Sequence, residues 1–268
     1  MELSYYQVDA FAKQPFEGNP AAVILTDTAL NEALMQSIAM EFNLSETGFL
    51  VPSGSSNYDY ALRWFTPAKE INLCGHGTLA AAHVLIHHLG FSQKTIRFNS
   101  ASGILTTEKL EDGALELDFP ANPASPVPAS TLVSNALGVE PLATLVGGPR
   151  LLAILPSAQQ VADLQPNMNM LMELPQQGIC VSAPGCGDFS DFDFVSRFFA
   201  PRIGIPEDPV TGSAHTALVP YYAEQLGKQQ LRAKQLSTRS GILNLELAGD
   251  RVKIAGHALT VATGTLYL

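Results

Sequence analysis

The feature that most constrains this chain is that it repeats itself on either side of a proline-rich break. Arg-Trp-Phe-Thr-Pro at 63–67 returns as Arg-Phe-Phe-Ala-Pro at 197–201, and Ser-Gly-Ile-Leu at 102–105 returns identically at 240–243. Pro52 and Pro184 each close an apolar run. Gly75 and Gly90 bracket an apolar stretch as long as the one between Gly212 and Gly227. The copies keep one order, and their spacing widens slowly along the chain, as small loop insertions in the second copy would produce. A period this long means a duplicated domain rather than a solenoid. Between the copies, residues 120–130 carry four prolines among small residues and suit neither a helix nor a central strand. The spacing predicts one domain over 1–119, a linker over 120–130 and a second domain over 131–258.

Each copy also reads alike in local structure. Residues 58–65 alternate and are rich in aromatics, which predicts a strand, and 193–199 play the same part. A proline-bearing loop and a helix follow: 75–89 with Gly90 as a left-handed cap, and 212–226 with Gly227. Short strands are expected at 95–99, 103–108 and 115–119, then at 241–247 and 252–254. Asp112-Gly113 and Gly249-Asp250 are the turns between them. Consecutive short strands favour antiparallel pairing and an α+β class. Both helices are apolar on nearly every face, so both are buried. The expected unit is a curled antiparallel sheet or barrel around one central helix.

Composition narrows the function. At 268 residues and 46% hydrophobic, the chain can fill a core without disulfides or metal staples. A net charge of −10 repels phosphate backbones and anionic lipid, so no nucleic acid and no membrane is expected as a partner. No apolar run reaches membrane-spanning length, and residues 1–10 lack the pattern of a signal peptide. Three widely spaced cysteines, Cys74, Cys180 and Cys186, suit a reduced, cytoplasmic chain. Charged residues make up only 15%, which leaves neutral surface and favours an oligomer.

A duplicated fold offers chemistry where its equivalent elements meet. The polar equivalent elements are the two helix starts, Cys74-Gly-His-Gly-Thr78 and Thr211-Gly-Ser-Ala-His215. Free N–H groups and the helix dipole at each start could hold a small carboxylate, or these are simply glycine-rich turns. His76 lies in the first start. Asp208 precedes the second and would serve as an acid–base group or as a dipole-compensating cap. Ser213 reads as a hydrogen-bond donor or a first-turn filler. Glu46, in Ser-Glu-Thr, reads by pattern as a surface carboxylate, and Asn19 as a turn residue. His83 and His87 are four residues apart but lack the glutamate of a zinc-protease helix, and no metal site is expected.

Four motifs, taken together and in order, resemble the phenazine-biosynthesis PhzF-like isomerases, which share the diaminopimelate epimerase fold. They are Phe16-Glu-Gly-Asn-Pro-Ala-Ala-Val23, Leu44-Ser-Glu-Thr-Gly-Phe49, Cys74-Gly-His-Gly-Thr78 and Glu207-Asp-Pro-Val-Thr-Gly-Ser-Ala214. The resemblance spans nearly the whole chain. It implies two similar domains with a cleft between them, a last strand (259–268) that completes the first domain, no cofactor and a homodimer. It makes Glu46 the proton-transfer residue, with His76, Asp208 and Ser213 lining the same site. The epimerases and racemases of this fold use two opposed thiols, one before each helix. Here Cys74 faces a repeat position held by Thr211, which argues against two-base racemisation.

The expected function is therefore a cofactor-independent isomerase that moves a proton at carbon on a small anionic, carboxylate-bearing metabolite. Glu46, His76 and Asp208 are its expected catalytic residues. Asn19, Gly75, Gly77, Gly212 and Ser213 are expected to bind substrate. The alternatives are a small-acid binding protein without turnover and a racemase, epimerase or dehydratase of the same fold.

Overall fold

The computed structural model describes residues 1–128 and 130–268, so Ala129, inside the proline-rich linker, lies outside the described residues. The chain divides into two units. One is Met1–Asp118 with Ala255–Leu268, and the other is Phe119–Ile254.

The first unit runs β1 (Glu2–Ala10), β2 (Asn19–Leu25), α1 (Glu32–Phe42), β3 (Glu46–Pro52), β4 (Tyr60–Phe65), β5 (Glu70–Ile71), α2 (Gly75–His87), β6 (Thr95–Ser100), β7 (Gly103–Lys109) and β8 (Leu115–Pro120). β1 pairs antiparallel with β2, β3 with β4, β4 with β5, β6 with β7, and β7 with β8. Two neighbours are parallel instead, β2 with β3 and β4 with β6. At each of these the chain crosses over through a helix, α1 or α2, and a crossover returns the next strand in the same direction. The antiparallel expectation therefore describes the hairpins, while the helices impose the exceptions.

The second unit repeats this plan. Its elements are β9 (Ser125–Val127), α3 (Thr131–Leu137), β10 (Ala143–Gly147), β11 (Arg150–Ile154), α4 (Ala158–Ala162), α5 (Met168–Met172), β12 (Gly178–Pro184), β13 (Phe194–Ala200), β14 (Ile205–Asp208), α6 (Gly212–Leu226), β15 (Gln230–Gln235), β16 (Gly241–Ala248) and β17 (Arg251–Gly256). β10 pairs antiparallel with β11, β12 with β13, β13 with β14, and β15 with β16. Parallel contacts again fall where helices cross over, β11 with β12 and β13 with β15. The repeated pentapeptides occupy the same places: Arg63 on β4 and Arg197 on β13.

Two first-strand partners come from outside the repeat. The final strand β18 (Ala258–Tyr267) pairs antiparallel with β1 along its length. Its counterpart in the second unit is β9, which pairs with β10 from within the proline-rich stretch. Pro126 fits there because β9 is only three residues long, so one missing N–H costs little.

The repeat extends to an arginine device, partly exposed in the first unit and buried in the second. Arg63 Nε and Nη2 each donate at 2.6 Å to Glu70 on β5, and its guanidinium lies over Phe65. Arg197 donates to Glu207 on β14 at 2.8 and 3.0 Å and lies over Phe199. Arg197 goes further and caps the carbonyls of Val161, Ala162 and Leu164 at the end of α4.

Both central helices are buried as their sequences demand. In α2 every residue from Gly75 to Leu85 is buried, and the helix packs on β1, β2, β3 and β18. In α6 the buried residues include Ala214, Ala217, Leu218, Val219 and Tyr222, against β15 and β16. Gly227 closes α6 in the left-handed conformation, φ 65°. The other helix end differs from the sequence expectation. α2 stops at His87, and Gly90, at φ +71°, sits two residues beyond the His88 cap. The Leu89 N–H returns to the Val84 carbonyl and the Phe91 N–H to the Leu85 carbonyl, so the exit turn is wider than an ordinary cap. Among the described residues, no helix is long and apolar enough to cross a membrane.

Candidate active site

In the first unit the local sequence delivers four polar residues to one buried point. Asn19 opens β2 and Glu46 opens β3, and these strands run parallel with Ala21 beside Glu46. Cys74 caps the N-terminus of α2, where Sγ accepts the Gly77 N–H at 3.2 Å and the backbone carbonyl accepts the Thr78 hydroxyl at 2.6 Å. His76, in the first turn, points to the strand ends. Its Nε2 lies 2.7 Å from Glu46 Oε2, and its Nδ1 lies 3.2 Å from Asn19 Nδ2. The Cys74 sulfur sits 3.7 and 3.8 Å from the two ring nitrogens.

All four residues are buried, so charge here is poorly screened. Burial alone would depress His76. The Cys74 sulfur and the Glu46 carboxylate beside the ring more than offset that and hold the imidazole well above its ordinary value. Burial, reinforced by the Glu46 carboxylate, pushes the Cys74 thiol up, so Cys74 is a neutral thiol at neutral pH. The Asn19 amide fixes the ring further. When its N–H faces Nδ1, that nitrogen accepts and the ring proton belongs to Nε2, facing Glu46. A doubly protonated ring instead requires the Asn19 oxygen toward Nδ1, which a flip of the amide provides. The His76 ring can thus carry a proton on the nitrogen that faces Glu46.

Gly77 has a packing reason to be glycine. A Cβ there would lie 2.9 Å from both Cys74 Sγ and Trp64 Cδ1. The Trp64 indole Nε1, buried beside it, has no hydrogen-bond partner among the described residues. Glu46, Cys74 and His76 also form the one donor set among the described residues whose ligand atoms, within 4.8 Å of one another, could hold a metal ion.

The equivalent place in the second unit is built differently. Thr211 takes the cap position before α6 that Cys74 takes before α2. The Thr211 hydroxyl donates to Asp208 Oδ2. Gln235, on β15 and buried, locks this turn: its Oε1 accepts the Thr211 N–H at 2.8 Å, and its Nε2 donates to the Asp208 carbonyl at 2.7 Å. His215 Nδ1 donates to the Thr211 carbonyl at 2.8 Å, and burial drives this imidazole down to about 4, so it is neutral packing. Gly212 and Ser213 form the first turn, and Ser213 Oγ accepts from Arg150 Nη2 at 2.8 Å. Burial lowers Arg150 from the usual guanidinium value, with Cys180 and Asp208 acting in the opposite direction.

The structure therefore gathers Asn19, Glu46, Gly75, His76 and Gly77 around one helix start, and Asp208, Gly212 and Ser213 around the other. Sequence reasoning missed Gln235 and Arg150. Gln235 carries no motif. Arg150 does follow the Gly147-Gly-Pro turn, where a lone charge at the mouth of a hairpin was a usable signal.

The chain is thus a duplicated mixed fold of curled sheets wrapped on buried helices, with a buried carboxylate–imidazole pair at one helix start. Residues 8–264 match the family model described as phenazine biosynthesis-like protein. An uncharacterized isomerase of Pseudomonas aeruginosa is 47% identical over 268 residues, covering all of both chains. The crystal structure of a PhzF-family protein from Enterococcus faecalis superposes with a TM-score of 0.95 at 43% identity, again over all of both chains. A hydroxyproline epimerase from Agrobacterium vitis shares the fold alone, with a TM-score of 0.67 at 10% identity over 99% of this chain and 92% of that one. The chain belongs to the phenazine biosynthesis-like family, among relatives named isomerases.

Proposed function

We propose that this protein is a cofactor-independent isomerase that moves a proton at carbon within a small carboxylate-bearing metabolite. The observation that carries this reading is the buried Glu46–His76 contact at 2.7 Å, with Asn19 on the far side of the ring. Glu46 takes the proton from one carbon and returns it to another. His76 relays or stabilises that proton, with Asn19 selecting which ring nitrogen bears it. The free N–H groups at the start of α2 stabilise negative charge that develops on the substrate. At the start of α6, Asp208, held by the Thr211 hydroxyl, is a further acid–base group, and Ser213 donates to the substrate.

A one-base proton shift is favoured over racemisation by two opposed thiols. The second cap position holds Thr211 in place of a thiol, and its hydroxyl is committed to Asp208. The protein is further proposed to act in the cytoplasm as a homodimer. A sedimentation run that finds only monomer would remove the second part.

The test is solvent-deuterium incorporation into candidate carboxylic acids, followed by mass spectrometry. The wild-type protein should place deuterium at carbon, and Glu46→Gln should slow this by at least about 10²-fold. Exchange at the wild-type rate in Glu46→Gln would sink the assignment. Binding of acids without any exchange would favour a non-catalytic binding protein.

A further inference from the structure

We propose that Arg150 is an anion-recognition residue of the second unit, and that together with Ser213 it receives a carboxylate of the substrate. This rests on the reading of Ser213 as a substrate contact. Arg150 opens β11 directly after the tight Gly147–Gly148–Pro149 turn, with Gly148 at φ +58°. Its Nη2 donates to Ser213 Oγ at 2.8 Å. A guanidinium carries five N–H donors. Among the described residues that is the one hydrogen bond the Arg150 guanidinium makes, and no carboxylate lies within ion-pair distance of it.

Two other arginines of the same unit are committed. Arg197 is held by Glu207 and three carbonyls, and Arg202 Nη1 donates to the Leu174 carbonyl. A partly buried guanidinium with four donors not bonded to protein is available to an anion.

The Ser213 hydroxyl is arranged to share that ligand. Its oxygen accepts from Arg150, and among the described residues its own O–H has no acceptor. Arginine N–H groups and the serine O–H are thus donors to one acceptor group, and the planar guanidinium fork matches a planar carboxylate. The local charge favours a monoanion. Asp208 acts on the Arg150 charge from nearby, so one cation is already partly balanced, too little for a phosphate dianion.

The experiment is isothermal titration of the full-length protein with benzoate, its neutral isostere benzamide and inorganic phosphate. Wild type, Arg150→Met, Arg150→Lys and Glu46→Gln are compared, and each fold is checked by thermal unfolding. The expected result is saturable binding of benzoate below about 10 mM, with benzamide and phosphate weaker. Arg150→Met should weaken benzoate by roughly 10–100-fold, and Arg150→Lys, which keeps the charge but loses the fork, by less. Should Arg150→Met fail to fold, the Arg150→Lys loss and the benzoate–benzamide difference still decide. Equal benzoate binding by wild type and either Arg150 variant, no saturable benzoate binding, or a preference for phosphate would overturn the proposal. Deuterium exchange by Glu46→Gln tests the acid–base reading alone, so failure of one idea is distinguishable from failure of the other.

Discussion

Glycine at position 77 and histidine at position 215 show how single residues tune this molecule. A Cβ at Gly77 would press on both the Cys74 sulfur and the Trp64 ring. Gly77→Ala should therefore destabilise the protein by about 1–3 kcal/mol, read as a lowered urea midpoint. It should also slow exchange, because the sulfur it displaces packs on His76. Unchanged stability would show that the helix start can move freely. His215 and His83 are buried and neutral, each pushed down by burial to about 4. Their folded values lie below the ordinary histidine range, so the unfolded chain binds protons first as pH falls. Their stabilising contribution is present above about pH 6.5 and is lost progressively toward pH 4, at up to about 1.4 kcal/mol per pH unit for each histidine. Urea titrations between pH 7 and pH 4 should show this decline, and His215→Asn should flatten it. At this scale the sequence was partly legible. The order of Asn19, Glu46, His76, Asp208 and Ser213 was readable because motifs lie within short windows. The Cys74–His76 contact was not, because it depends on a cap geometry that only the folded turn supplies.

Among the elements, the duplicated arginine device makes an internal comparison. The Arg63–Glu70 pair is more than a third exposed on its arginine side, whereas Arg197 is nearly covered and also caps three carbonyls. Removing Arg197 leaves Glu207 and those carbonyls without their partner. Arg197→Ala should cost about 3–5 kcal/mol, and Arg63→Ala about 1 kcal/mol or less from the lost pair, plus the stem packing over Phe65. Thermal or urea unfolding of the two variants reads the difference directly, and equal losses would contradict it. The strand positions and helix starts were visible in the sequence because periodicity and glycine punctuation are local. The parallel neighbours were not, since direction is set by the helix crossing between two strands. The end of α2 escaped for a similar reason: Gly90 is left-handed as expected, but hydrogen bonds from Leu89 and Phe91 widen the exit ahead of it.

For the whole molecule, the placement of β18 carries the strongest expectation. This strand pairs with β1 throughout and its Thr260 hydroxyl lies 3.0 Å from His83 Nε2 and 2.8 Å from His88 Nε2. Ending the chain at residue 256 should expose the β1 edge and α2 beneath it. Hydrogen exchange should then show protection lost across the first unit, while β12, β13 and α6 of the second retain more of theirs. Uniform protection in the shortened chain would mean that β18 is dispensable. By itself the sequence determined that a unit is repeated, that each copy wraps a buried helix, and which family the motifs resemble. Those properties follow from apolar periodicity, turn residues and residue order, all written within a few positions of one another. Only the tertiary structure decided that Glu46 at the start of β3 meets His76 in the first turn of α2, that Gln235 locks the Asp208 turn, and that Arg150 reaches Ser213. Each of these joins residues dozens of positions apart, and their meeting is fixed by strand register and crossover direction, which no local pattern encodes.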